Sequence, residues 1–114
     1  MQPMKIFVSG PYSAETKEER ERNALKAVDA GIRLLKRGHT PFVPHLTHWM
    51  DTRALELGYE FSWQHYMDYD DEWLQECEAI LHLGSSKGAD IELSRAKELG
   101  LRIFYDEAEI PAAA

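Results

Sequence analysis

Apolar residues follow two patterns along this chain: short, nearly unbroken runs, and longer stretches where they recur every three or four positions. The short runs are Met4–Val8, Thr40–Pro44, Ala79–Leu83 and Leu101–Tyr105. Turn-forming residues bound them, notably Ser9-Gly10-Pro11 and Gly84-Ser85-Ser86-Lys87-Gly88. Runs of this length between such breakers predict buried strands. Pro41 and Pro44 cannot donate to a ladder, so the second strand is expected at a sheet edge.

The periodic stretches predict helices. Thr16 followed by Glu19 forms a capping-box pattern, and Ala24, Leu25, Val28, Gly31, Ile32 and Leu35 then keep helical spacing up to Gly38. A second helix is expected over Trp63–Cys77 and a third over Ala89–Leu99, with Gly100 as its stop. A short helix over Trp49–Leu57, ended by Gly58, fits the less regular stretch between His45 and Ser62. The tail from Ile110 to Ala114 is expected to be loose.

Strands that alternate with helices predict an α/β fold: a three-layer, doubly wound (flavodoxin- or Rossmann-like) parallel sheet of four or five strands. The 114 residues fit one domain, 1–114. Such sheets bind ligands at the carboxyl ends of their strands, here the loops Ser9–Ser13, Pro44–His48 and Gly84–Gly88.

Charge narrows the partners. The chain carries a formal charge of −7, which argues against a nucleic-acid polymer or an anionic membrane surface as partner. A small anion remains compatible, because a helix N-terminus binds one even in an acidic protein. The lone cysteine, Cys77, excludes an intrachain disulfide, and the run Met4–Val8 is too short for a leader or a membrane span. A cytoplasmic protein is expected.

The candidate chemistry begins with Asp70. On the helix 63–77 the apolar stripe is Trp63, Tyr66, Met67, Trp73, Leu74 and Cys77, and Asp70 falls at its centre, whereas Asp68, Asp71 and Glu72 point away. An inward carboxylate is either paired within a structural network or held with a raised pKa near a cleft. Glu92 lies early in the next helix, at the border of its buried stripe. There the helix dipole favours the ionised form, which suits either a nucleophile or a simple helix-start acid. Together the two acids match the template for glycosidic cleavage. His45, His48 and Asp51 at i, i+3 and i+6 admit a metal reading, but the spacing fits no familiar motif, and no metal is expected. Trp49, Phe61, Trp63 and Tyr66 are equally able to stack on a base or to fill core.

Three segments carry a resemblance. Ile6-Phe7-Val8-Ser9-Gly10-Pro11-Tyr12, Asp70-Asp71-Glu72-Trp73-Leu74-Gln75 and Ser86-Lys87-Gly88-Ala89-Asp90-Ile91-Glu92-Leu93-Ser94-Arg95-Ala96 resemble the nucleoside 2-deoxyribosyltransferase superfamily over nearly the whole chain. Within it the chain is most similar to a small branch near the 2'-deoxynucleoside 5'-monophosphate N-glycosidases. The resemblance implies Glu92 as nucleophile, Asp70 as general acid and Tyr12 as the residue that orients Glu92. It further implies a sugar pocket at Ser9, Gly10 and Pro11 and a phosphate contact at Ser86. His45, just after the edge strand, reads as a hydrogen-bonded or ligand-contacting loop residue, here against sugar or base, and the backbone of Gly88, Ala89 and Asp90, behind a glycine-rich loop, as a phosphate cradle. The transferases carry an Asp where this chain has Ser86. A serine cannot repel a phosphate, so nucleotide hydrolysis is favoured over base exchange. Deoxyribosyl transfer and a non-catalytic nucleotide sensor are the alternatives. A small-molecule nucleoside or nucleotide substrate, no cofactor and a homodimer complete what the resemblance implies.

Overall fold

The computed structural model describes residues 1–114. Its strands are β1 (Lys5–Ser9), β2 (Thr40–Phe42), β3 (Ala79–His82) and β4 (Arg102–Phe104). The helices are α1 (Lys17–Lys36), α2 (Thr47–Glu56), α3 (Trp63–Leu74) and α4 (Lys87–Glu98), with single 3₁₀ turns at Pro44–Leu46 and Glu107–Glu109. All four strands run parallel in the order β2-β1-β3-β4. The architecture is α/β and compatible with a three-layer Rossmann-like fold. No helix is long and apolar enough to cross a membrane.

Handedness sorts the helices. The path β1-α1-β2 runs one way along the sheet, while β2-α2-α3-β3 and β3-α4-β4 run the other. Right-handed crossovers therefore put α1 on one face and α3 with α4 on the opposite face. Period-two alternation serves both faces from the same strands. Ile6, Val8, Ala79 and Leu81 pack against Ala27, Ala30 and Leu34 of α1. Phe7 and Ile80 pack against Leu74, Cys77 and Ala96 on the other side. Ser9, two residues after Phe7, consequently faces α3 and α4.

Pro41 sits on the edge strand, as its chemistry requires. Thr40 donates its N–H to Met4 O at 2.9 Å, so the nitrogen of the next residue turns to the open edge. Side-chain oxygens begin three helices: Thr16 accepts from Glu19 N, Ser62 from His65 N and Ser86 from Ala89 N. Gly38, Gly58 and Gly100 follow α1, α2 and α4 with positive φ.

Three helix boundaries and the tail differ from expectation. α2 begins at Thr47, two residues before Trp49. α3 ends at Leu74 rather than Cys77, whose N–H closes a tight turn onto Leu74 O. α4 begins at Lys87 because Ser86 is its cap. The tail is docked rather than loose. Ile110 is buried, Arg37 Nη1 donates to the carbonyls of Glu107 and Ile110, and Ala113 N donates to Arg37 O. His39 accepts from Met4 N at Nδ1, which leaves its Nε2–H to donate to Pro111 O at 2.8 Å.

Gly31 shows how tightly α1 approaches the sheet. A Cβ there would lie 2.6 Å from Val43 Cγ2. Gly31→Ala should gain roughly 1 kcal/mol of helix propensity yet lower stability by about 1–3 kcal/mol through overpacking. In a Val43→Ala background the same change should instead stabilise. Urea unfolding of the four variants checks this, and a loss of the same size in both backgrounds would refute the contact.

Candidate active site

In a sheet of order 2-1-3-4 the chain reverses direction between β1 and β3, and a crevice opens beyond their carboxyl ends. A cavity of about 380 Å³ lies there, within the range of small-molecule sites. The β1 loop supplies Gly10, Tyr12 and Ser13, and the segment after β2 supplies Pro44, His45, Thr47 and Asp51. α3 supplies Trp63, Tyr66, Met67 and Asp70, while α4 and its cap supply Ser86, Lys87, Gly88, Ala89 and Glu92.

Asp70 and Glu92 thus face one space from two helices. They are 7% and 8% exposed, and no basic side chain pairs with either. Glu92 is held from behind. Ser9 Oγ donates to its Oε1 at 2.8 Å across 83 positions of sequence. Burial pushes the Glu92 carboxyl up to about 7; the Ser9 hydrogen bond opposes this and the charge of Asp71 adds to it. The helix N-terminus alone favours an ionised Glu92, but desolvation outweighs it. Asp70 is pushed further, to about 8, by burial and by the charge of Glu92. Its Oδ1 is buried without a hydrogen-bond partner. The order favours an ionised Glu92 beside a protonated Asp70, which separates the roles of two like groups.

The hydroxyl bonded to Glu92 is that of Ser9, not Tyr12. Tyr12 lines the cavity but shares a 2.7 Å hydrogen bond with His48 Nδ1, because α2 brings His48 alongside the β1 loop. Burial raises the Tyr12 pKa, and the charge of Arg20 opposes that.

His45 sits in the cavity wall with Nε2 3.0 Å from Gly10 O and 3.3 Å from Pro11 O. Carbonyls only accept, so Nε2 carries the proton. Burial lowers the His45 pKa, and the neutral ring keeps Nδ1 as a bare acceptor, buried and unpartnered. The metal reading of His45, His48 and Asp51 fails on these commitments. Asp51 accepts from Tyr66 Oη at 2.7 Å, and no three His, Cys, Asp or Glu residues converge as a metal site. Burial and Asp51 together raise Tyr66, so it stays protonated as the donor.

The α4 terminus differs in detail from expectation. Ser86 Oγ accepts from Ala89 N at 3.1 Å and Ser86 O accepts from Asp90 N at 2.8 Å. The backbone donors left for an anion are therefore those of Lys87 and Gly88, beside the free O–H of Ser86, rather than those of Ala89 and Asp90. Asp90 is not in the cavity wall. Two residues from Glu92, its side chain turns to the far side of α4, accepting from Ser85 Oγ at 2.6 Å and lying 3.6 Å from His82 Nε2. Pro11 is exposed, and its ring lies against Gly84. Asp71 is not merely solvated: it pairs with Arg95 at 3.0 Å. Thr47, Lys87 and the Asp51–Tyr66 bond were outside the sequence reading. The one available signal was Lys87, a cation in the first turn of a helix.

Among curated proteins no match is found. A family model does match, and it spans residues 4–105, from the residue before β1 to the one after β4. The chain belongs to the family described as Domain of unknown function (DUF4406).

Proposed function

We propose that this protein hydrolyses the N-glycosidic bond of a nucleoside 5'-monophosphate, with a 2'-deoxy sugar favoured, using Glu92 as nucleophile and Asp70 as general acid. The observation that carries the reading is the convergence of these two buried carboxyl groups, unpaired with any base, on one cavity at the β1/β3 crevice. The resemblance of the three segments to the nucleoside 2-deoxyribosyltransferase superfamily supports it independently. Ser86, where the transferases carry an acid, supports hydrolysis over base exchange.

The reaction balances in two steps. Glu92 Oε attacks C1' as the C1'–N bond breaks. That bond's electron pair stays on the base, which takes the Asp70 proton. Water then attacks C1', gives a proton to the Asp70 carboxylate and displaces Glu92. Ser9 helps hold Glu92 ionised for the first step. His45 Nδ1, an acceptor, suits a sugar hydroxyl. Ser86 O–H and the N–H groups of Lys87 and Gly88 suit the phosphate. A reducing, cytoplasmic setting fits the lone Cys77. A homodimer fits the apolar residues Leu25, Ile32 and Leu35, which α1 leaves exposed along one side.

Two outcomes are expected. Incubation with a panel of 5'-monophosphates should release free base, and Glu92→Ala should slow release by about 10³-fold or more, while Asp70→Asn slows it by about 10²–10⁴-fold. Undiminished release from Glu92→Ala, followed chromatographically, would remove the mechanism. The pH profile of kcat/KM should rise as Glu92 ionises near 7 and fall as Asp70 deprotonates near 8. Ser9→Ala deletes a hydrogen bond that favours the charged carboxylate, so the rising limb should move to higher pH. A limb that stays put or moves down contradicts the role given to Ser9.

A further inference from the structure

Lys87 breaks a local rule. It is the first residue of α4, where the helix dipole repels a cation. Asp90 in the same turn complements the dipole, but Lys87 itself has no carboxylate partner, since none of the chain's ion pairs includes it. Its ammonium instead lies over the Trp63 ring, 4.8 Å from the centroid. Trp63 begins α3 after its cap, Ser62, and is 41% exposed, so the contact bridges the starts of two helices at the open side of the cavity. Among the residues lining that cavity Lys87 is the one Lys or Arg, against three acidic side chains, Asp51, Asp70 and Glu92, of which Asp70 keeps its proton. Such a surplus of negative charge opposes an anionic ligand. A cation set at a helix start with no carboxylate partner of its own breaks a local rule of the kind that is broken at functional sites. A cation–π contact at an exposed position is weak enough for a dianion to displace.

We propose that Lys87 is the residue that selects a phosphorylated ligand, leaving Trp63 to bind the phosphate dianion alongside Ser86 O–H and the free N–H groups of Lys87 and Gly88. The selection rests on the nucleotide reading above, but anion capture does not require turnover. Release of Lys87 uncovers the Trp63 ring, which then stacks on the ligand or closes over it. An unphosphorylated nucleoside carries no charge for Lys87 to pair with and so gains nothing from it.

Binding is measured on the Glu92→Gln protein so that no substrate is consumed, with inorganic phosphate, a 2'-deoxynucleoside 5'-monophosphate and the matching nucleoside as probes. Tryptophan emission should change on adding the monophosphate, and the change should vanish in Trp63→Phe even though Trp49 and Trp73 remain. Lys87→Gln should weaken monophosphate binding by roughly tenfold to a hundredfold and leave nucleoside binding within about twofold. Its melting temperature without ligand should be equal or higher, because an unfavourable dipole contact is gone. Unchanged monophosphate affinity in Lys87→Gln, an equal loss for nucleoside and monophosphate, or no binding of phosphate or monophosphate before that substitution overturns the proposal. Base release by the unsubstituted protein is scored separately. Its absence, with monophosphate affinity lost in Lys87→Gln, removes hydrolysis and supports the anion site. Its presence, with that affinity unchanged, does the reverse.

Discussion

Two buried carboxyl groups without a basic partner share one cavity, and the charge of Glu92 makes Asp70 harder to ionise. Ser9 donates to Glu92 and favours its ionised form, while burial, aided by the charge of Glu92, holds the proton on Asp70. Solvent would erase the difference: two exposed carboxylates titrate together near their ordinary values. The cavity wall, with Met67 and Ala89 among its residues, keeps the acids apart in protonation state. Everything chemical about the site depends on that desolvation.

The sheet supplies the geometry. Ser9 faces Glu92 because it shares a side of β1 with Phe7, and Phe7 is fixed by packing against Leu74 and Ala96. A one-residue slip of β1 would send Ser9 toward α1 and leave Glu92 without its donor. The hydrogen bond and the core packing are thus one constraint seen at two places. On the other wall, Tyr12–His48 and Asp51–Tyr66 tie α2 to the β1 loop and to α3. Those bonds leave His45 Nδ1 and Asp70 Oδ1 as buried polar atoms with no protein partner in the cavity wall. Unsatisfied atoms of this kind are costly in a closed core and acceptable where a ligand completes them.

Much was legible from one-dimensional pattern. The four short apolar runs became the four strands, and the prolines of the second put it at the edge. Asp70 could be identified as inward because helical periodicity is a local rule, and α3 obeys it. Boundaries were less legible where a cap decided them. Ser86 reads equally as loop or cap until its hydroxyl is seen accepting from Ala89. The docking of the tail is not legible locally, because its small residues promise little burial, whereas its anchors, Arg37 and His39, lie more than 70 positions away. The partner of Tyr12 is hidden from the sequence for a related reason: its nearness to the pocket follows from its loop, but its bond to His48 follows from where α2 packs.

Local sequence determined which segments become strands and helices, which face of α3 is apolar, and that a carboxyl group interrupts that face. These are consequences of period, capping and backbone restriction, all acting within a few residues. Tertiary structure alone decided that Asp70 and Glu92 share a cavity, that Ser9 rather than Tyr12 holds Glu92, that Asp90 turns away, and that Lys87 rests on Trp63. Each of these joins segments distant in the chain, and only the packed interior brings them close in a medium of low polarity.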